Sequence, residues 1–209
     1  MSTWDKYAQG AEGWSDAAYA DAHMYLARRA ALVRTLGPAL VPGDVVLDLA
    51  CGDGGLADFL PEQRYVGVDA SAEMVAAAGL RGRDVVQADL NDFEPAAPVQ
   101  ATTIFRAVYY ARDRRALLAH IAGYTEKKLV FDLNPRQYLL ADVGADLRAA
   151  GFDGLEVKPF FVPQTVTPGA AVARLLAAAE RIGPAARLLL RFRFTYMCSA
   201  FRLDAERRT

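Results

Sequence analysis

The sequence is poor in the residues that build metal and disulfide chemistry. Among 209 residues there are two cysteines and two histidines. Cys51 and Cys198 lie far apart and neither belongs to a C-x-x-C pair. That pattern provides neither a zinc site nor a disulfide framework, so no metal is expected. Charge of one sign is also missing: 24 Lys and Arg face 25 Asp and Glu, for a net charge of −1. No bulk field therefore draws the chain to nucleic acid or to an anionic membrane. No apolar run reaches the roughly 20 residues that cross a bilayer. Met1 to Gly10 is polar and aromatic and lacks the apolar core of a signal peptide. The expectation is a cytoplasmic protein with reduced thiols.

What is present is enough for a folded core. Hydrophobic residues make up 53% and charged residues 23%, the balance of a globular chain. The length favours a single domain over residues 1–209. Asp21 to Leu36 reads as a helix stopped by Gly37-Pro38. Val45-Val46-Leu47-Asp48-Leu49 is a short apolar run, as in a strand buried on both faces. A glycine turn, Gly52 to Gly55, leads into a helix from Leu56 to Leu60. The pattern then repeats. Strands are expected at Tyr65 to Asp69, Val85 to Ala88, Ala101 to Tyr109 and Lys128 to Leu133. Helices are expected from Ser71 to Ala78, Arg114 to Gly123 and Asp142 to Ala150.

Strands alternating with helices mean parallel βαβ units in an open α/β sheet. Two later strands, Gly154 to Val162 and Arg191 to Phe201, flank helical stretches at Ala170 to Ile182 and Ala185 to Leu190. The expected fold is α/β and Rossmann-like: a doubly wound, mostly parallel seven-stranded sheet with a C-terminal antiparallel β-hairpin and a helical insertion at 163–190.

Strand, glycine turn and helix together bind nucleotides, because glycines admit a close ligand and the helix offers free N–H groups. Two ligand classes compete. Gly52-Asp53-Gly54-Gly55-Leu56-Ala57 satisfies the dinucleotide fingerprint G-x-G-x-x-[GA]. Asp69, ending the next strand, would bind a ribose in either case. Three features favour a ligand with a cationic amino-acid moiety. Asp48 sits inside the first strand, where a pyrophosphate gains nothing from a carboxylate but an ammonium does. Asp89 ends the third strand, where an adenine amino group could donate to it. About forty residues precede the first strand, whereas dinucleotide domains often begin with it.

At these residues the sequence resembles the class I S-adenosylmethionine (SAM)-dependent methyltransferases. Val46 to Gly54 resembles the family's first motif, with Ala50 in place of its usual first glycine. Gly67-Val68-Asp69-Ala70-Ser71 with Met74 resembles the second, and Asp89-Leu90 the third. The resemblance is specific across residues 44–92 and extends in outline over most of the chain. It implies SAM as cofactor and S-adenosylhomocysteine as product. It implies that Asp48, Ala50, Cys51, Gly52 and Gly54 contact the cofactor; Cys51 reads as a close-packed residue beside it rather than a nucleophile, since no base is placed near it in sequence. Asp69, Ala70 and Met74 would meet the ribose and its surroundings, Asp69 through both hydroxyls, and Asp89 and Leu90 the adenine.

The fourth strand departs from the family pattern. It reads Thr103-Ile104-Phe105-Arg106-Ala107-Val108-Tyr109-Tyr110, and Arg106 falls near the methyl donor. Its backbone is expected to line the pocket, since a cation beside a sulfonium costs energy unless it pairs with an acid or turns away.

Other candidates carry a bland reading beside the functional one. Trp4, Tyr7, Trp14 and Tyr19 are read as a lid over SAM within a cap at 1–40, with Tyr7 and Tyr19 in cofactor contact; the alternative is simple packing. His23 and Arg106 are weak catalytic candidates, and His23 reads more simply as a surface or core-edge histidine on a helix. His120 reads as structural. Tyr109, Asn134 and Arg136 are substrate candidates, with Asp132 beside them; the alternative for Asn134 and Arg136 is a solvated turn. Arg191 to Tyr196 alternates basic and aromatic residues, as in a half-buried strand rather than a nucleic-acid face. Gly154 to Phe201 is read as part of the substrate cover. Its Phe160, Phe161, Val162, Leu175, Leu176 and Phe192 would favour an apolar substrate or be ordinary core.

The sum is a methyltransferase acting on O, N or C of a small molecule, with no nucleic-acid or membrane partner. Monomer and homodimer both stay open, and no general base is identified. The alternatives are a protein that binds SAM or its product without catalysis, and a nicotinamide-dependent oxidoreductase, which would not explain Asp48 and Asp89.

Overall fold

The computed structural model describes residues 13–183, 186, 188 and 194–203. Trp4, Tyr7, Arg191, Phe192 and Arg193 lie outside the described residues, as do the expectations attached to them.

The chain opens with a short helix α1 (Trp14–Ala18) and a long one, α2 (Ala22–Thr35). Five strands follow with intervening helices: β1 (Val45–Leu49), β2 (Arg64–Asp69), α3 (Ala72–Leu80), β3 (Val85–Gln87), β4 (Val99–Ile104), α4 (Arg114–Tyr124) and β5 (Thr125–Leu133). The chain closes with α5 (Leu140–Ala149), β6 (Gly154–Phe160), α6 (Ala170–Ala179) and β7 (Thr195–Phe201). The strands form one seven-stranded sheet in the order β3-β2-β1-β4-β5-β7-β6. β7 runs antiparallel to both β5 and β6, while β1 to β5 pair in parallel. The expected doubly wound sheet with its late hairpin is present, and α6 lies in the hairpin's connection.

Strand periodicity explains the two layers. Leu47 and Leu49 point to a core formed with Leu117, Leu118 and Ile121 of α4. Val46, one residue out of phase, points to a core formed with Tyr25, Ala30 and Val33 of α2. Alternate side chains of one strand thus feed opposite faces, which is why β1 reads as an unbroken apolar run. Each buried leucine contributes about 1.5–3 kcal/mol relative to exposure.

Caps set the helix ends. Asp21 accepts the Met24 N–H at 2.8 Å to start α2, and Ser71 accepts the Met74 N–H at 3.3 Å to start α3. α2 ends against Lys128, whose buried ammonium donates to the carbonyls of Leu36 at 2.9 Å and Arg34 at 3.3 Å. The lysine is tolerated inside β5 because the helix end offers acceptors there. Burial pulls its pKa down to about 8.

Several boundaries differ from expectation. β4 stops at Ile104 rather than Tyr109, because Arg106 adopts φ 54° and Val108–Tyr110 forms a 3₁₀ turn. The segment Leu56 to Leu60 is a single 3₁₀ turn, Gly55–Phe59, rather than an α-helix. β6 ends at Phe160, two residues early.

The candidate SAM site at the strand switch point

Strand order reverses between β1 and β4, and a cleft of about 1040 Å³, its open mouth included, lies at their carboxyl ends. That is where open α/β sheets hold ligands. The loop after β1 forms its floor. Ala50 and Gly52 take left-handed φ values of 58° and 59°. A Cβ on Gly52 would meet the Trp14 ring at 3.1 Å, so only glycine lets that indole lie over the loop. Cys51 packs toward Gly67, where a Cβ would meet its sulfur at 2.7 Å. Burial, with Asp48 and Asp69 nearby, pushes the Cys51 thiol well above its ordinary value. That fits a packing residue and not a nucleophile.

The carboxylates sit on successive strand ends. Asp48 is buried and accepts from the Thr103 hydroxyl at 2.6 Å and the Tyr65 hydroxyl at 2.9 Å. Its partners are therefore side chains of the flanking strands, not the loop backbone. Burial pushes it up to about 6, against the pull of those hydroxyls and of Arg29. Asp69 accepts the N–H of Gly52 at 2.8 Å and of Ser71 at 2.9 Å. These bonds fix its orientation, and burial raises its pKa. Asp89 is bound by Asn91 Nδ2 at 2.7 Å and Arg112 at 2.8 Å. Burial pulls its pKa upward, but Asn91 and Arg112 outweigh that and hold it below the usual carboxylate value. Asp48, Asp69 and Asp89 all line the one cleft, as do Ala50, Cys51 and Gly52. Ala70, Met74 and Leu90 line it too, with Arg106, Tyr19 and Tyr109.

Other expected residues stand elsewhere. Gly54 turns away from the cleft and faces Arg83 and Ala78. His23 is exposed and packs edge-on against Phe59, 5.1 Å between centroids, outside the cleft wall. His120 bonds the Phe93 carbonyl at 2.8 Å and serves structure. Asn134 accepts the Arg136 N–H at 3.0 Å and its carbonyl closes a turn onto Gln137 and Tyr138. The pair forms a turn outside the cleft lining, with Arg136 exposed. Phe160, Phe161 and Val162 are core, Leu175 is exposed, and Leu176 packs beside Phe161 and Ala186. None of the described residues from 154 to 201 lines the cleft.

Arg106 lines the cleft. Its backbone N–H is taken by Asp132 at 2.7 Å, and its guanidinium stands 5.8 Å from the Tyr19 ring centre. Asp132 lies behind the wall rather than in it.

Some residues at the site escaped the sequence reading. Ser15, Phe105 and Arg29 line the cleft, and Asp53 holds Ser15. Arg29 is buried, 3.4 Å from Asp132 and 3.0 Å from the Tyr25 hydroxyl, with its guanidinium 4.2 Å from the centre of Phe105. Burial works against its charge, but Tyr25, Tyr19 and Asp132 outweigh that and raise its pKa. A signal existed: Tyr25, Leu26, Arg29, Ala30 and Val33 form one helical stripe, and an arginine on an apolar stripe marks a buried partner.

Among the described residues, no group of three or more His, Cys, Asp or Glu is placed to hold a metal ion. No described helix is long and apolar enough to cross a membrane.

The sheet has the fold of the class I SAM-dependent methyltransferases, and the ordered acids line the cleft at its switch point. Residues 46–128 match the family model of the methyltransferase domain, which decides against the nicotinamide reading that the glycine loop left open. A trans-aconitate 2-methyltransferase from Azoarcus sp. (strain BH72) is 36% identical over 110 residues, covering 48% of this chain and 44% of the relative. The match thus spans less than half of that curated relative's length. A chain from the complex between the Haloferax volcanii Trm112 methyltransferase activator and a methyltransferase superposes with TM-score 0.67 at 18% identity, covering 97% of this chain and 99% of that one. Magnesium protoporphyrin IX methyltransferase from Synechocystis PCC 6803, solved with bound SAM, gives TM-score 0.54 at 16% identity, covering 94% and 80%.

Proposed function

We propose that the chain transfers the methyl group of SAM to a small-molecule acceptor. The observation that carries this is the ordered set Asp48, Asp69 and Asp89 on successive strand ends around one cleft. Each acid fits one part of the donor. Asp48 would hold the ammonium of the methionine moiety, a charged partner that repays its burial. Asp69 keeps unused lone pairs beyond its two backbone bonds for the ribose hydroxyls. Met74, Ala88 and Leu90 would flank the adenine, with Asp89 at its edge. Bound there, SAM supplies an electrophilic methyl carbon, and the protein's task is alignment. Trp14 and Tyr19, on the segment over the loop, would help to exclude water.

A small acceptor is supported by the name of the curated relative, whose trans-aconitate is a small organic acid. Calorimetric titration with SAM, S-adenosylhomocysteine and NAD(P) tests the donor, and methyl transfer to trans-aconitate and a wider compound panel tests the activity. Binding of both sulfur ligands and turnover of one small acceptor is the expected result. Binding without any turnover would leave a SAM-retaining protein and defeat the enzymatic reading.

A further inference from the structure

The chain between β6 and β7 leaves the sheet beside the cleft. β6 runs antiparallel to β7 and β7 antiparallel to β5, so β5 and β6 end at the same edge. That is the edge at which the cleft opens. Beyond β6 the chain is bonded to the segment over the cleft. The Gln164 carbonyl accepts the Ala20 N–H at 2.8 Å, and the Thr167 hydroxyl donates to the Ala20 carbonyl at 2.9 Å. Ala20 follows Tyr19, which lines the cleft. Helix α6 comes next.

α6 is apolar all round and has no fully buried residue. Its inner side packs through Leu176 and Ala179 on Phe161 and Ala186. Its outer side is left open. Val172 is 51% exposed, Leu175 70%, and Ile182, just past the helix end, 55%. Arg174 and Arg181 stand among them, both exposed. No described carboxylate pairs with either arginine. Glu180 is the one acid from 163 to 194, and it is spent internally. Its buried carboxylate holds Arg28 at 2.7 Å and the Phe161 N–H at 2.9 Å. Against that acid the same stretch of sequence carries Arg174, Arg181, Arg187, Arg191 and Arg193. The chain's net charge of −1 therefore conceals a local positive excess.

We propose that the outer face of α6 docks on an anionic membrane surface. A helix that lies on a bilayer needs apolar side chains to enter the headgroup boundary and cations to meet the lipid phosphates. This face has both and no exposed acid. The arginine stems can lie along the apolar surface while their heads reach the phosphates. A second copy of the chain fits less well, because its arginines would meet these arginines. A protein partner is commonly held by an aromatic anchor, and the outer face of α6 has no Trp, Tyr or Phe. The contact is peripheral, since no described helix can cross a bilayer. It brings the cleft's edge of the sheet, rather than the opposite edge, toward the lipid.

Flotation of the full chain with vesicles of phosphatidylcholine, alone or mixed with phosphatidylglycerol, tests this and needs neither donor nor acceptor. The wild type should float with the anionic vesicles and not with the neutral ones, and added salt should release it. Arg174→Gln combined with Arg181→Gln should weaken binding about 10- to 30-fold, as expected for two arginines near such a surface. Val172→Gln combined with Leu175→Gln should weaken it comparably by removing apolar contact. All four side chains are exposed, so both double variants should melt close to the wild type. Leu80→Gln, which changes a 77% exposed leucine on α3, should float like the wild type. Failure to float with anionic vesicles would overturn the proposal. So would equal flotation with neutral vesicles, or flotation that both double variants leave intact. A dimer in sedimentation that Leu175→Gln dissociates would assign the face to a second copy and overturn it as well.

Discussion

Asp53 accepts the backbone N–H of Ser15 at 3.1 Å and also its hydroxyl, joining two residues 38 positions apart. The acid is fully buried and also meets Gly55 N–H at 3.3 Å and Arg81 at 3.4 Å. It therefore fastens α1, and with it Trp14, across the glycine loop. The middle residue of the Gly52-Asp53-Gly54 turn thus holds α1 and stands outside the cleft lining.

Ser15→Ala removes one of these bonds without unpairing the carboxylate. It should cost about 0.5–1.5 kcal/mol. Hydrogen exchange at residues 14–18 should speed up while exchange in β1 stays slow. The affinity for SAM should fall several-fold, as expected if the segment covers the site. Equal exchange rates in variant and wild type would mean that Asp53 does not anchor α1.

Asp48 should trade stability for binding. Burial lifts its folded-state pKa to about 6 from 3.8. The folded protein thus holds this proton more tightly than the unfolded chain. The stabilising contribution is complete below about pH 4 and is lost as pH rises through 6, at most about 3 kcal/mol. Without ligand, Asp48→Asn should melt above the wild type at pH 7.5, with the gap closing toward pH 4. SAM affinity of the wild type should fall as pH drops below 6, and the variant should bind at least about tenfold more weakly at pH 7.5. A melting gap that ignores pH would contradict the assignment.

Ala50 stands where the family places a glycine, and its φ of 58° shows why. A non-glycine residue in that region costs about 1–2 kcal/mol, partly returned through a stiffer unfolded chain. Ala50→Gly should stabilise the protein by about 0.5–1 kcal/mol, seen as a rise in Tm. A lower Tm would mean that the Ala50 methyl packs favourably enough to outweigh the strain.

Local signals explain what the sequence revealed. β1, the glycine turn, Asp69 at the end of β2 and the Ser71 cap are all set by neighbours within a few residues, and each stands where expected. The β4 end was overestimated because Phe105, Ala107 and Val108 continue an apolar pattern, whereas the left-handed turn at Arg106 depends on Asp132, 26 residues away. The partnership of Arg29 with Asp132 spans 103 residues and has no local mark beyond a charge on an apolar stripe. Asn134 and Arg136 follow a strand at the ligand-binding edge, yet the Asn134 carbonyl folds the loop onto itself. Position after a strand gave the right edge of the sheet without the direction of the side chains.

The central claim is that ordered acids around the switch point hold SAM, and Asp69 is its sharpest test. Asp69 is fixed by Gly52 and Ser71, so titration of SAM into wild type and Asp69→Asn reads a preorganised ribose contact. The account predicts saturable binding to the wild type and a loss of about tenfold or more in the variant, at similar Tm. Equal affinity in the two proteins, or no SAM binding by the wild type, would contradict it.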